Sequence, residues 1–383
     1  MPPVSMLIAD ACAMLGVAGT AYFALAIRAA MRFQREPEPP ADAVFAPPVS
    51  ILKSLKGIDP QMYEAFRSHC LLDYPEYEVL FGVHDLDEPA LALVEKLQAE
   101  FPEHQLRVVH CPKELGANGK VSTLAQMLPE ARYEHIIIND SDIMVDWNYL
   151  QRVLAPFASP KVGMVTTLYR AIAGKTLSSR LEALGISADF AGGVLLAREM
   201  EGGIRFGLGA TLATTKSVLR EIGGLEPLAD YLGDDYELGA RVAAAGHRVE
   251  LSHVVVETAL PDYSFRDFWK HQMRWARNVK DRRPAQYLGL IVTFGLAWAI
   301  LAVLFWLSWW SCLVLGAAVI TRFAAAIFVG RGVLEDDQVG RDLWLVPVRD
   351  FIALAIWIAS FLGNTVEWRG LRFRLRKGKL EKA

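Results

Sequence analysis

Residues 287–330 form a run of about 44 positions with a single charge, Arg322. A run of that length and purity suits two membrane spans joined by a tight turn near residues 309–311. A second apolar stretch, residues 4–30, holds one acid, Asp10, and is long enough to cross a bilayer. No basic region precedes it and no small-residue cleavage site follows it, so it reads as an uncleaved anchor and not a signal peptide. Arg28, Arg32 and Arg35 close it, and the positive-inside rule puts that side in the cytoplasm. A third stretch, 343–363, is interrupted by Pro347, Arg349 and Asp350. The tail is basic, with Arg369, Arg372, Arg374, Arg376, Lys377, Lys379 and Lys382. One span before the polar middle and three after it would leave that tail outside, against the rule. Either 343–363 is re-entrant or interfacial, or the tail departs from the rule.

Composition closes off other classes. Hydrophobic residues make 53% and charged residues 22% of 383 positions, which excludes intrinsic disorder. A net charge of −3 excludes a nucleic-acid-binding polycation. Cys12, Cys70, Cys111 and Cys312 have no paired spacing, so neither a disulfide scaffold nor a structural zinc site is expected. The expected organisation is an anchor at 1–35, a Pro/Ala linker at 36–47, a cytoplasmic globular domain at 48–285, a membrane region at 286–365 and a basic tail at 366–383. Within the domain, strand-like runs at 49–52, 77–83, 106–110, 135–139, 163–168 and 249–256 alternate with helical stretches at 61–70, 89–100, 120–127, 216–222 and 234–245. That alternation predicts an α/β fold with a mainly parallel sheet, whose ligands sit beyond the carboxyl ends of the strands.

Five constellations carry polar chemistry. His84-Asp85-Leu86-Asp87-Glu88 follows a strand, where a carboxylate can accept from a ribose hydroxyl or a base imide; Asp87 and Glu88 also suit a helix N-cap. Gly116-Ala117-Asn118-Gly119-Lys120 opens a helix, where a lysine and backbone amides can neutralise phosphate, although the spacing is not a Walker loop. Ile138-Asn139-Asp140-Ser141-Asp142 ends an apolar strand with two acids about a small residue. That pattern suits Mg²⁺ or Mn²⁺ as well as an Asx turn. Gly233-Asp234-Asp235-Tyr236-Glu237 opens a helix, with acids placed for the helix dipole or for general-base work. His271-Gln272-Met273-Arg274-Trp275 precedes the membrane, where Trp and Arg serve as interfacial anchors or Arg274 clamps a diphosphate.

In this order, and with the segments at 49–60, 72–80 and 367–374, the chain resembles inverting family-2-type glycosyltransferases with a GT-A fold. More narrowly it resembles the ceramide glucosyltransferase family and its bacterial relatives, including hopanoid-associated glycosyltransferases. The resemblance implies a GT-A, Rossmann-like mixed sheet flanked by helices, with transmembrane helices at both ends. It further implies that Asp85 and Asp87 contact the nucleoside, Lys120 lies near the nucleotide, and Asp140 and Asp142 hold a divalent metal, Mg²⁺ or Mn²⁺, on the donor diphosphate. Asp235 would be the catalytic base, and Arg274 with Trp275 would end the (Q/R)xxRW signature that holds the diphosphate and acceptor. The first position of that signature is His271, with Gln272 one residue out of register, so these two and Asp234 have no settled role.

The activity implied is transfer of a hexose from a UDP-sugar to a hydroxyl of a membrane lipid, with inversion, in a bacterial inner membrane. The alternative is UDP-N-acetylglucosamine transfer to a hopanoid. A processive polysaccharide synthase would need more spans, and a dead scaffold would not keep these acids. Residues 185–212 are rich in Gly, Ala and Leu; they either lie at the interface and receive a lipid body or form a buried core helix.

Overall fold

The structure, a computed structural model, describes residues 3–37, 45–368 and 370–382. Most of the expected linker (38–44) and Arg369 of the basic tail lie outside the described residues. Eight strands form the main sheet: β1 (Val49–Ser54), β2 (Tyr77–Val83), β3 (Leu106–His110), β4 (His135–Ile138), β5 (Ile143–Met144), β6 (Val162–Ile172), β7 (Leu212–Thr215) and β8 (Arg248–Ala259). Their order is β3-β2-β1-β4-β7-β6-β8-β5. β1, β2 and β4 are near-continuous Val, Ile, Leu and Phe runs because helices cover both faces of the sheet.

The sheet is mixed, as the resemblance implied, where the strand–helix alternation alone predicted a mainly parallel one. β1/β2, β2/β3, β1/β4 and β6/β8 are parallel, whereas β4/β7, β6/β7 and β5/β8 are antiparallel. β7 causes the reversal: it enters between β4 and β6 in the opposite sense, pairing Ile137 with Ala213 and Val165 with Ala213.

The basic tail folds into strands. β9 (Thr365–Trp368), β10 (Leu371–Arg376) and β11 (Lys379–Lys382) form an antiparallel sheet. Phe373 and Leu375 face inward while Arg372, Arg374 and Arg376 face out, the period of a half-buried strand. The hairpin turn Lys377-Gly378 has positive φ at both positions, as a two-residue turn of the primed type requires. This small sheet leans on the main domain: Leu232 N donates to Gly378 O at 3.1 Å and Leu380 N to Asp230 O at 2.7 Å.

Among the described residues four helices are long and apolar enough to cross a membrane: Val4–Arg35, Pro284–Phe305, Trp309–Val333 and Asp337–Ser360. The first packs along the hairpin of the second and third. At the closest point a Cβ on Gly19 would sit 2.3 Å from Gly295 Cα, so both positions require glycine. The carboxyl end of the first helix reaches the domain, where Phe33 stacks on His253 at 4.1 Å and Arg28 and Arg32 pair with Glu199. The charges inside the apolar segments face each other: buried Arg322 pairs with Asp350 at 2.8 Å and also with Asp189. One end of Asp337–Ser360 is held at β6 of the main sheet, and the other by the second apolar helix and the helix just before it. Gln338 Nε2 donates to Ala171 O at 2.7 Å, and Tyr287 Oη to Ser360 Oγ at 2.9 Å, while Lys280 donates to Ser360 O.

Residues 177–201 form one run of helix, Leu177–Gly185 and Ala191–Glu201 about a wider π turn, Ile186–Phe190. Its Ala191, Val194 and Leu195 belong to the main core with Ala29, Ala30 and Phe33 of the first helix. The core-helix reading of this segment therefore holds for these residues.

Candidate active site

Two acidic loops converge on one lysine. Lys120 stands in the first turn of helix Gly119–Met127, donates Nζ to Asp140 Oδ1, and lies 3.7 Å from Asp234 Oδ2. Burial opposes its charge, but Asp140 and Asp234 outweigh burial and hold the ammonium above its ordinary value. Asn118 caps the helix through Val121 N at 3.3 Å, and its amide donates to Tyr231 O at 2.9 Å and Asp234 Oδ1 at 3.2 Å. The loop carrying Asp234 and Asp235 is thereby tied to the loop carrying Lys120.

Asp235 lies in the first turn of helix Asp234–Ala244. Its Oδ2 accepts from Gly209 N at 2.9 Å and its Oδ1 from Tyr236 N at 2.7 Å. Burial, and then the charge of Asp234, push its carboxyl up to about 6. A Cβ on Gly209 would lie 3.3 Å from Asp235 Oδ2 and 3.4 Å from Asp140 Oδ2, so the open side of this glycine faces both carboxylates. Asp142 accepts from the Thr258 hydroxyl, and burial followed by Asp140 pushes it up to about 6. Ser141 Oγ donates to Asp59 Oδ2 at 2.7 Å, closing the turn from the other side.

The remaining expected residues lie further out. Asp85 is exposed at the carboxyl end of β2, 3.8 Å from His84 Nε2, on the same sheet edge as Asp140 with β1 between. The capping reading of Asp87 and Glu88 is corrected: the helix Leu91–Glu100 has Ala90 at its N-cap with no side-chain cap. Asp87 is exposed, and Glu88 accepts instead from Gly57 N at 2.7 Å.

Helix Phe265–Arg282 presents two faces. His271 lies 2.6 Å from buried Glu182 on helix Leu177–Gly185 of the domain, and Gln272 Oε1 accepts at 3.0 Å from Arg349 of the apolar helix Asp337–Ser360. Trp275 packs edge-on to Phe190 and to His271, at 6.0 and 5.8 Å between rings, in an aromatic row that Tyr169 and Tyr263 extend. Arg274 lines a cavity with Lys270 and Arg277.

The sequence model of Glycosyl transferase family 21 matches residues 11–381, nearly the whole chain. The chain belongs to that family. It is similar to ceramide glucosyltransferase 1 of Caenorhabditis elegans, 23% identical over 354 residues that cover 87% of this chain and 72% of the relative. Ceramide glucosyltransferase 3 of the same organism is also 23% identical, with 87% and 73% covered. A solved mannosyltransferase from Pyrobaculum calidifontis, in complex with GDP-Man and Mn²⁺, superposes with a TM-score of 0.56 over 94% of this chain and 98% of its own at 20% identity. This likeness shows the GT-A fold.

The resemblance drawn from the sequence implies a divalent cation at Asp140 and Asp142. Among the described residues no group of three or more His, Cys, Asp or Glu side chains forms a metal site. Asp140 and Asp142 fit the sparser arrangement, in which a hard cation takes one or two carboxylates and fills its shell from diphosphate oxygens and water. One oxygen of each is engaged, by Lys120 and by Thr258, and the Asp140 side chain is 42% exposed.

Sequence reasoning did not single out three residues that shape this centre. Lys53 is fully buried on β1, donates Nζ to Asp140 O at 3.0 Å, and is pushed down to about 7 by burial against the pull of Asp142 and Asp140. A lysine inside an apolar strand was the available signal. Asn139, read only as part of its motif, holds the next loop through Ala210 O at 2.7 Å and Thr211 Oγ1 at 3.2 Å. Gly209 gave no signal, because its role lies in a backbone amide.

Proposed function

We propose that this family-21 glycosyltransferase is an integral membrane enzyme that moves a hexose from a UDP-sugar to a hydroxyl of a membrane lipid, with inversion. One observation carries the reading: Asp235, its carboxylate raised by burial and bonded to Gly209 N, and Asp140 both border the open side of Gly209, which sets a base beside the acidic turn of the donor site. The curated relatives' ceramide substrate and the four apolar helices support a lipid acceptor.

In this reading Asp85, and with it Asp87, receives the nucleoside at the edge of β2. Asp140 and Asp142 hold Mg²⁺ or Mn²⁺, which when bound supplies charge neutralisation to the leaving diphosphate. Lys120 keeps Asp140 oriented, and Arg274 places a guanidinium near the diphosphate. Asp235 takes the proton from the acceptor hydroxyl as its oxygen attacks C1 through an oxocarbenium-like transition state. A single displacement turns an α-linked donor into a β-glycoside. Trp275 and the row from Tyr169 to Tyr263 offer the acceptor an aromatic wall between Asp235 and the apolar helices.

The two held ends of Asp337–Ser360, at Ala171 and at Lys280, support one membrane arrangement. Three crossings, by the first helix and the hairpin, leave the catalytic domain and the tail sheet on one side, the cytoplasmic face of a bacterial inner membrane. Asp337–Ser360 then lies along the interface, the first of the two alternatives that the charge rule left open.

The test is an acceptor–donor matrix on detergent-solubilised protein with Mg²⁺ or Mn²⁺: ceramide, diacylglycerol and a polyol hopanoid against UDP-glucose, UDP-galactose and UDP-N-acetylglucosamine. A glycolipid seen by mass spectrometry names both substrates. Absence of donor binding in every arm contradicts the reading.

A further inference from the structure

A cavity of about 240 Å³ lies between helix Phe265–Arg282 and the tail sheet. Lys270, Arg277 and Arg372 line it against one acid, Glu367, together with Arg274, which serves the donor diphosphate in the proposed function and adds nothing to this charge balance. Glu367 is engaged by Lys270 at 2.9 Å, so the cavity keeps a surplus of positive charge. Arg277 donates through Nη1 to Thr365 O, while its buried Nε has no hydrogen-bond partner among the described residues. Burial pushes Arg277 below its ordinary value, as expected of a guanidinium with no carboxylate beside it.

The position of the cavity indicates what it holds. Asp337–Ser360 ends at Ser360, and Thr365 in the cavity wall is five residues further on. Gly363 lies against Arg277: a Cβ there would be 3.6 Å from Nη2. The neighbouring Phe361, Leu362 and Leu371 expose 46%, 84% and 60% of their surface. An apolar rim beside a cationic pocket at the end of a membrane helix matches an anionic phospholipid, with acyl chains on the rim and phosphate in the pocket. Trp269 in the wall suits the interfacial level at which such a headgroup sits.

We propose that this cavity binds the phosphate of an anionic membrane phospholipid, and that the bound lipid pins the tail sheet and helix Phe265–Arg282 to the bilayer surface. The tail sheet also braces Tyr231 and Leu232, just before Asp235, so occupancy of the cavity bears on the catalytic loop.

The test uses the full chain in detergent, titrated calorimetrically with short-chain phosphatidylglycerol, with short-chain phosphatidylcholine, with inorganic phosphate and with UDP. Phosphatidylglycerol binds in preference to phosphatidylcholine, and neither phosphate nor UDP displaces it. The double variant Lys270→Gln/Arg372→Gln weakens binding by about fivefold per cation, roughly 25-fold for the pair. Arg374→Gln/Lys382→Gln removes the same charge from exposed positions of the same sheet and binds like the parent. Lys270→Arg/Arg372→Lys keeps the charge and retains binding, which separates lost charge from lost fold. Equal loss in both neutralised pairs, equal affinity for phosphatidylcholine, displacement by UDP or phosphate, or loss of binding in the folded charge-conserving pair each overturns the proposal.

Discussion

Asp235 and Lys120 carry the residue-scale argument. Asp235→Asn keeps the shape of the site and removes the base, so donor binding persists while transfer falls by about 10²–10⁴-fold. Donor binding by calorimetry and turnover by product mass spectrometry check this together. The raised carboxyl sets the pH dependence. As the proposed base, Asp235 works only when ionised and in the free protein is pushed up to about 6, so kcat/KM falls as pH drops through about 6 and levels above it. A profile flat from pH 5 to pH 8 (a window set around that value) contradicts the assignment. Lys120→Met leaves Asp140 and Asp234 facing each other without their cation. It lowers stability on the order of 1–3 kcal/mol by the cost of an unpaired buried polar group, and it weakens donor binding, both read by melting with and without UDP-sugar.

The elements that the sequence exposed are those whose pattern is local. β1, β2, β3 and β4 are apolar runs bounded by turns, and all of them fall within a residue or two of the expected limits. β5 has two residues and β7 four, too short for a period to register, and β7 is set by its neighbours β4 and β6. The tail read as a charge run because Arg and Lys alternate with Leu and Phe, the signature of a half-buried strand once a partner sheet exists. The candidate site was legible at the acids: Asp140 and Asp234 meet at Lys120, Asp235 faces Asp140 across the open side of Gly209, and Asp142 lies near Asp140. What stayed hidden were contacts between distant segments, such as Thr258 on Asp142 and Gly209 on Asp235, which no single motif encodes. Among the apolar helices, Gly19→Ile tests the close approach to Gly295. With a Cβ 2.3 Å from Gly295 Cα the helices must part, at about 1–3 kcal/mol, seen as a lower melting temperature in detergent.

The whole molecule ties a catalytic domain to the bilayer at three places: the first helix, the hairpin, and the segment Asp337–Ser360 that returns to the domain at both ends. Cys312, exposed near the hairpin tip while Cys12, Cys70 and Cys111 are buried, is a natural reporter of this arrangement. In sealed vesicles an impermeant thiol reagent labels Cys312 from the side opposite to a cysteine placed at Glu381; labelling of both from one side contradicts three crossings.

The most direct measurement of that account is the anomeric configuration of the glycolipid formed from an α-linked UDP-sugar, read by proton NMR for the parent and for Asp235→Asn. The account predicts a β-glycoside from the parent and none from the variant. An α-glycoside, or the same product at the same rate from Asp235→Asn, contradicts it.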